Sequence, residues 1–220
     1  DSGVLTEGAG PRAANTICVT ANGESGATPT AASLEWRADM GRLAHTRTVA
    51  RNHAGSDWAR HLFWVKGDAF LVLDVLCAHR SGDYAFRCQW RALGEVEALG
   101  RDTRLRLDPS PWEEGSRTAH ILSAGTEEVS VFRDLPLGFE DGGPAQAFSP
   151  YAGPVLNQIH QVTRIHMDEG DWVVFANLLY SERESKPAEG MFLEVQDGVF
   201  AFAAPVSGYA GLAQEGETIE

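Results

Sequence analysis

Residues 58–93 read WARHLFWVKGDAFLVLDVLCAHRSGDYAFRCQWRAL. Two short polar turns, Lys66–Asp68 and His79–Asp83, divide the stretch into three apolar segments of strand length. The middle segment, Ala69–Ala78, is apolar at both odd and even positions, as expected of a central strand covered on both faces. The next, Tyr84–Ala92, alternates, and the short turn between them predicts an antiparallel return. With Ala78 opposite Tyr84, one face carries Phe70, Val72, Asp74 and Leu76 with Tyr84, Phe86, Cys88 and Trp90. That face is heavy and aromatic, so it belongs to the core. The other face carries Leu71, Leu73, Val75 and Cys77 with Ala85, Arg87, Gln89 and Arg91.

Outward from this stretch the pattern repeats. Further strand segments are predicted at Asn15–Thr20, Leu34–Ala38, His45–Arg51 and Ala59–Lys66 on the N-terminal side. Beyond it come Glu95–Leu99, Thr103–Leu107, Thr118–Ser123, Glu128–Arg133, Asn157–Met167 and Trp172–Tyr180, then Met191–Gln196 and Val199–Ala204 around an Asp197-Gly198 hairpin signal. About a dozen strands with no helix-period segment predict one large two-layer antiparallel β-sandwich over residues 1–220. Asp134–Pro154, with its prolines and Asp141-Gly142-Gly143, is the long irregular segment where a sub-domain break would fall.

Composition excludes several classes. A net charge of −13 opposes nucleic-acid and anionic-membrane surfaces, both of which reward positive charge. The charge is uneven, however: 181–220 is mostly acidic and 42–106 is arginine-rich, so a local cationic surface fits on an acidic body. Three cysteines, Cys18, Cys77 and Cys88, form no regular framework, and buried free thiols are expected. No apolar run reaches membrane-spanning length. No GxSxG or glycine-rich phosphate loop occurs.

Asp74 is a carboxylate among apolar neighbours and must be paired; Arg60, on the preceding segment, is the expected partner. His45, His53 and His61 lie close in sequence, and two of them with Asp74 would make a zinc site, though no tight ligand spacing supports one and no cofactor is assigned. His160 and His166 share a strand face roughly 20 Å apart, too far for one ion. Trp64 and Trp90 sit within apolar segments and are expected in the core. Trp58 and Trp112 sit at loop edges beside charges, where an indole stacks on a sugar ring, and Tyr151 is a further candidate of that kind.

The pattern Trp58-x-Arg60, an apolar strand, Lys66-Gly67-Asp68 and then Leu71-Val72-Leu73-Asp74-Val75 resembles the heparinase II/III-like polysaccharide lyases. Asp1-Ser2-Gly3 followed by RAANTICV at 12–19 is similar to that family's entry into its β-sandwich, where a His-Asn-Thr segment begins a strand. The resemblance covers most of residues 1–100. It implies a sandwich domain working beside an upstream helical (α/α) toroid, on uronic-acid polysaccharides, in a secreted or periplasmic setting. The family's histidine position is Ala14 here, with Asn15 and Thr16 retained, and nothing matches the family's tyrosine acid/base. No catalytic residue is therefore assigned, and the chain alone is expected to be inactive. In β-elimination a base takes the proton α to the carboxylate while positioned donors neutralise the developing charge. Arg87, Gln89 and Arg91 would supply such donors to an acidic polysaccharide; the same three residues would also suit a solvated outer face. Two other readings fit these residues: a non-catalytic carbohydrate-binding module using Trp58 and Trp112, and a structural or assembly domain.

Overall fold

The computed structural model describes residues 15–27, 29, 31–92, 95–100, 102–107, 117–124, 128–136, 155–183, 192–196, 199–203 and 208–211. Every regular element among them is a β-strand. The smaller sheet has the order β11 (Glu128–Pro136), β12 (Val155–Met167), β7 (Gly82–Ala92), β1 (Thr16–Ala21) and β2 (Glu24–Ser25). The larger has the order β3 (Ser33–Met40), β4 (Leu43–His53), β5 (Ser56–Val65), β6 (Ala69–Ala78), β13 (Trp172–Arg183), β10 (Arg117–Ala124), β9 (Asp102–Leu107) and β8 (Glu95–Leu99). All pairings are antiparallel, and the two open sheets form the expected sandwich. A third sheet joins β14 (Phe192–Gln196), β15 (Val199–Ala203) and β16 (Gly208–Gly211). Gln196 lies opposite Val199, the pairing that the Asp197-Gly198 signal requires; the turn itself lies outside the described residues. So does most of the long irregular segment, although β11 continues through its first three residues to Pro136.

The return of Tyr84–Ala92 onto Ala69–Ala78 is not a hairpin. β6 pairs with β5 and β13 in the larger sheet, while β7 pairs with β1 and β12 in the smaller one. The connection is an arch from one layer to the other. Its corner is tied to the β4–β5 turn: His79 N donates to Gly55 O at 2.9 Å, and Tyr84 Oη lies 3.1 Å from the same carbonyl. Gly55 has φ +83°, a backbone state that side chains rarely adopt. The facing of residues survives the change of pairing. Cys88 does oppose Asp74, with Sγ 3.9 Å from Oδ2, but across the core and not along a ladder.

The inner faces of the two sheets bury Ile17, Val72, Leu76, Phe86, Ile159 and Phe175, each at 4% exposure or less. Each such side chain removed from water contributes about 1.5–3 kcal/mol. The opposite face of the larger sheet is also covered. Leu71, Leu73, Ala176 and Leu178 are fully buried there, with Leu193 of β14 packed against them. This explains why β6 is apolar on both faces, with Asp74 as the exception. Trp64 and Phe70 depart from the expected core. Both sit on the inner face, yet remain 41% and 40% exposed and stack on each other, centroids 5.8 Å apart. Here the eight-stranded sheet overhangs the five-stranded one. Trp90 is in the core as expected.

Candidate functional site

The alternation of β7 sends Phe86, Cys88 and Trp90 inward. Arg87, Gln89 and Arg91 consequently share the outer face of the five-stranded sheet. Register then decides their neighbours. On β1, Thr16 lies opposite Gln89 and Cys18 opposite Arg87. On β12, Gln158, His160, Val162 and Arg164 lie opposite Arg91, Gln89, Arg87 and Ala85 in turn. On β11, Ser130 and Phe132 face His160 and Gln158. The face therefore combines arginines, amides, hydroxyls and an imidazole, with Phe132 as an exposed apolar edge.

Its electrostatics differ from the rest of the chain. A groove of about 440 Å³ runs over Cys18, Thr20, Arg87, Phe132, His160 and Arg164, and among the described residues no aspartate or glutamate lines it. Several cations elsewhere meet acids: Arg42 pairs with Asp68, Arg51 with Glu35 and Asp57, and Arg104 with Asp102. His160 is nearly buried, hydrogen-bonded to Gln158 at 3.2 Å and tilted against Phe132 with centroids 4.7 Å apart. Burial first, and Arg87 beside it second, pull its pKa down to about 4, so it is neutral at physiological pH. Burial also lowers the Arg91 pKa, but a guanidinium stays charged. Arginine forks next to a neutral imidazole and an amide can hold a carboxylate or sulfate bidentately.

Trp58 belongs elsewhere. It lies on the inner face of the larger sheet, where its indole N–H donates to Asp74 Oδ1 at 2.8 Å. Asp74 is fully buried and held by Arg60 as expected, through Nε to Oδ1 at 2.7 Å and Nη2 to Oδ2 at 3.0 Å. Arg60 also lies over the rings of Trp58 and Trp90, at 5.0 and 5.5 Å. Its remaining Nη1 donates to Asn15 O at 3.1 Å. The Asn15 side chain in turn accepts from Arg91 N at 2.8 Å. The start of β1 is thus fixed to both layers, beside the position that the family resemblance gives to histidine. Ala14, Trp112 and Tyr151 lie outside the described residues.

The zinc combination does not assemble. His45 and His61 share a 3.3 Å contact on the face of the larger sheet opposite to Asp74. His53 Nε2 is 3.1 Å from Ile17 O, in hydrogen-bond contact between the sheets. All three cysteines are free, with Cys88 buried and Cys18 and Cys77 half-buried. The part of β12 in the candidate face escaped sequence reading. The His160-Val162-Arg164 alternation was its only signal, and only strand pairing brings it beside Arg87.

No family model matches this chain, and no curated protein does. Solved structures do match. A heparan sulfate lyase from Pedobacter heparinus aligns with a TM-score of 0.61 over 94% of this chain and 31% of its own, at 10% identity. A heparinase III aligns with 0.59 over 90% and 30%, at 13% identity. Another heparinase III structure aligns with 0.60 over 89% and 28%, at 8% identity. The chain has a heparinase-like fold and spans about 30% of the length of the solved chains it matches.

Proposed function

We propose that this chain is the β-sandwich part of a polysaccharide lyase and that its five-stranded sheet turns its outer face to an acidic polysaccharide. The carrying observation is the pair Arg87 and Arg91 on either side of the buried Gln89, with His160 beside them, next to a groove that no acid lines among the described residues, on a chain of net charge −13. The heparinase-like fold supports the substrate class, since the matched proteins are named for heparin and heparan sulfate. β-Elimination would be carried out by a helical toroid domain, with this face supplying donors to the uronate carboxylate. Such a protein works outside the cytoplasm, secreted or periplasmic.

A second reading, a carbohydrate-binding module without chemistry, is favoured by one feature: alanine stands at position 14, where the resembled family has histidine. Both readings require binding; they differ in turnover. Titration of the 220-residue protein with heparan sulfate in a calorimeter tests the shared part. Binding that weakens with salt and with Arg87→Gln supports it. A folded protein that takes up no heparan sulfate at low salt refutes it. Release of unsaturated uronate by these 220 residues alone would contradict the assignment of chemistry to another domain.

A further inference from the structure

We infer that the groove is a second anionic subsite, and that an acidic oligosaccharide lies along β7 and β12 from Arg91 to Arg164. This deepens the reading of the face given above and rests on it. Opposite Arg91 stands Gln158, and opposite Ala85 stands Arg164. Six residues of strand separate the two levels, roughly 20 Å. Arg87 lies between them, two residues from the Ala85 level. The three guanidinium positions therefore form a line, not a cluster. A linear polyanion with charges at intervals fits a line; a single small anion does not need one.

The far end has the properties of a site in its own right. Arg87 Nε is buried without a hydrogen-bond partner among the described residues. Arg164 is exposed, and none of its ion pairs or hydrogen bonds lies among the described residues. Arg42, Arg51, Arg60, Lys66 and Arg104 each meet a carboxylate instead. Arg87 and Arg164, on neighbouring strands with no carboxylate partner among the described residues, can accept an anion from outside. Thr20, Ser25 and Ser130 add hydroxyls to the groove. Phe132, 48% exposed, gives an apolar edge on which a sugar ring can rest.

The test is calorimetric titration of the 220-residue protein with a heparan sulfate disaccharide and with an octasaccharide. A disaccharide cannot reach both ends, so the octasaccharide should bind at least about tenfold more tightly. Arg164→Glu, an exposed substitution whose fold is checked by circular dichroism, should remove about tenfold from octasaccharide affinity and leave the disaccharide unchanged. Equal affinity for the two lengths, or an octasaccharide Kd indifferent to Arg164→Glu, overturns the second subsite. If Arg91→Gln weakens the octasaccharide while Arg164→Glu does not, the face stands and the far subsite falls. If folded wild-type protein binds neither ligand, both fall together.

Discussion

Arg60 holds Asp74, its register partner on the neighbouring strand of the larger sheet, with two hydrogen bonds, and reaches the Asn15 carbonyl beside the smaller sheet with a third. Burial works against the Arg60 charge, but Asp74 outweighs it and holds the guanidinium pKa above its ordinary value. One ion pair thus couples the middle of the larger sheet to the first described residue of the smaller one.

Removing one partner of that pair is expected to cost much more than removing both. Asp74→Asn leaves Arg60 charged and incompletely compensated, with an expected loss of about 3–5 kcal/mol. Replacing both residues by apolar side chains of similar volume should recover much of it. Urea unfolding curves measure the difference; an Asp74→Asn variant as stable as the parent would contradict it.

The exposed Trp64 and the buried Trp90 should respond differently. Trp90→Ala opens a cavity in the core and should cost about 3–5 kcal/mol. Trp64→Ala should cost well below that, because its ring is 41% exposed while that of Trp90 is 6% exposed. Thermal unfolding of the two variants checks this, and similar losses would mean that the overhang is covered.

Cys88 should be chemically silent. Burial, and secondly the Asp74 carboxylate, push its thiol well above the usual range. Mass spectrometry after iodoacetamide treatment should find Cys18 and Cys77 alkylated first, and Cys88 only after unfolding. Rapid labelling of Cys88 in the native protein would contradict the packing described.

Stability should fall on acidification below neutrality. His61 is pulled down to about 4 by burial, then by His45 and Arg47. An unfolded histidine titrates near 6.5, so between about pH 6.5 and 4 the unfolded chain binds more protons than the native one. Native stability is therefore full above that window and declines as pH falls through it. His160 acts in the same direction. His166 acts in the opposite one. Its hydrogen bond to the Asp83 carboxylate raises its pKa, so that contribution is present below about 6.5 and lost as pH rises through the folded value. His61→Gln should flatten the acid slope in urea unfolding series; an unchanged slope would refute this origin.

Strand faces were legible because a period of two assigns each residue to a side without knowledge of its partner. Phe86, Cys88 and Trp90 went inward, and Arg87, Gln89 and Arg91 went outward, for that reason. Partners were not legible. A short turn such as His79–Asp83 serves a hairpin or an arch, and the signal that separates them is the apolar character of β6 on both faces. Trp64 and Phe70 were misplaced because their exposure depends on where the opposing sheet stops, which no local pattern records. Arg60 with Asp74 was legible because a lone buried carboxylate demands a nearby cation. His160 and Arg164 were not, because they enter the face only through the pairing of β12 with β7.

The most direct measurement is a nuclear magnetic resonance titration of the isotope-labelled protein with a heparan sulfate octasaccharide. The largest shifts should fall on Arg87, Gln89, Arg91, His160 and Arg164, along one face of β7 and β12. Shifts concentrated instead around Trp64 and Phe70, or a spectrum unmoved by the ligand, would contradict the assignment of that face to an acidic polysaccharide.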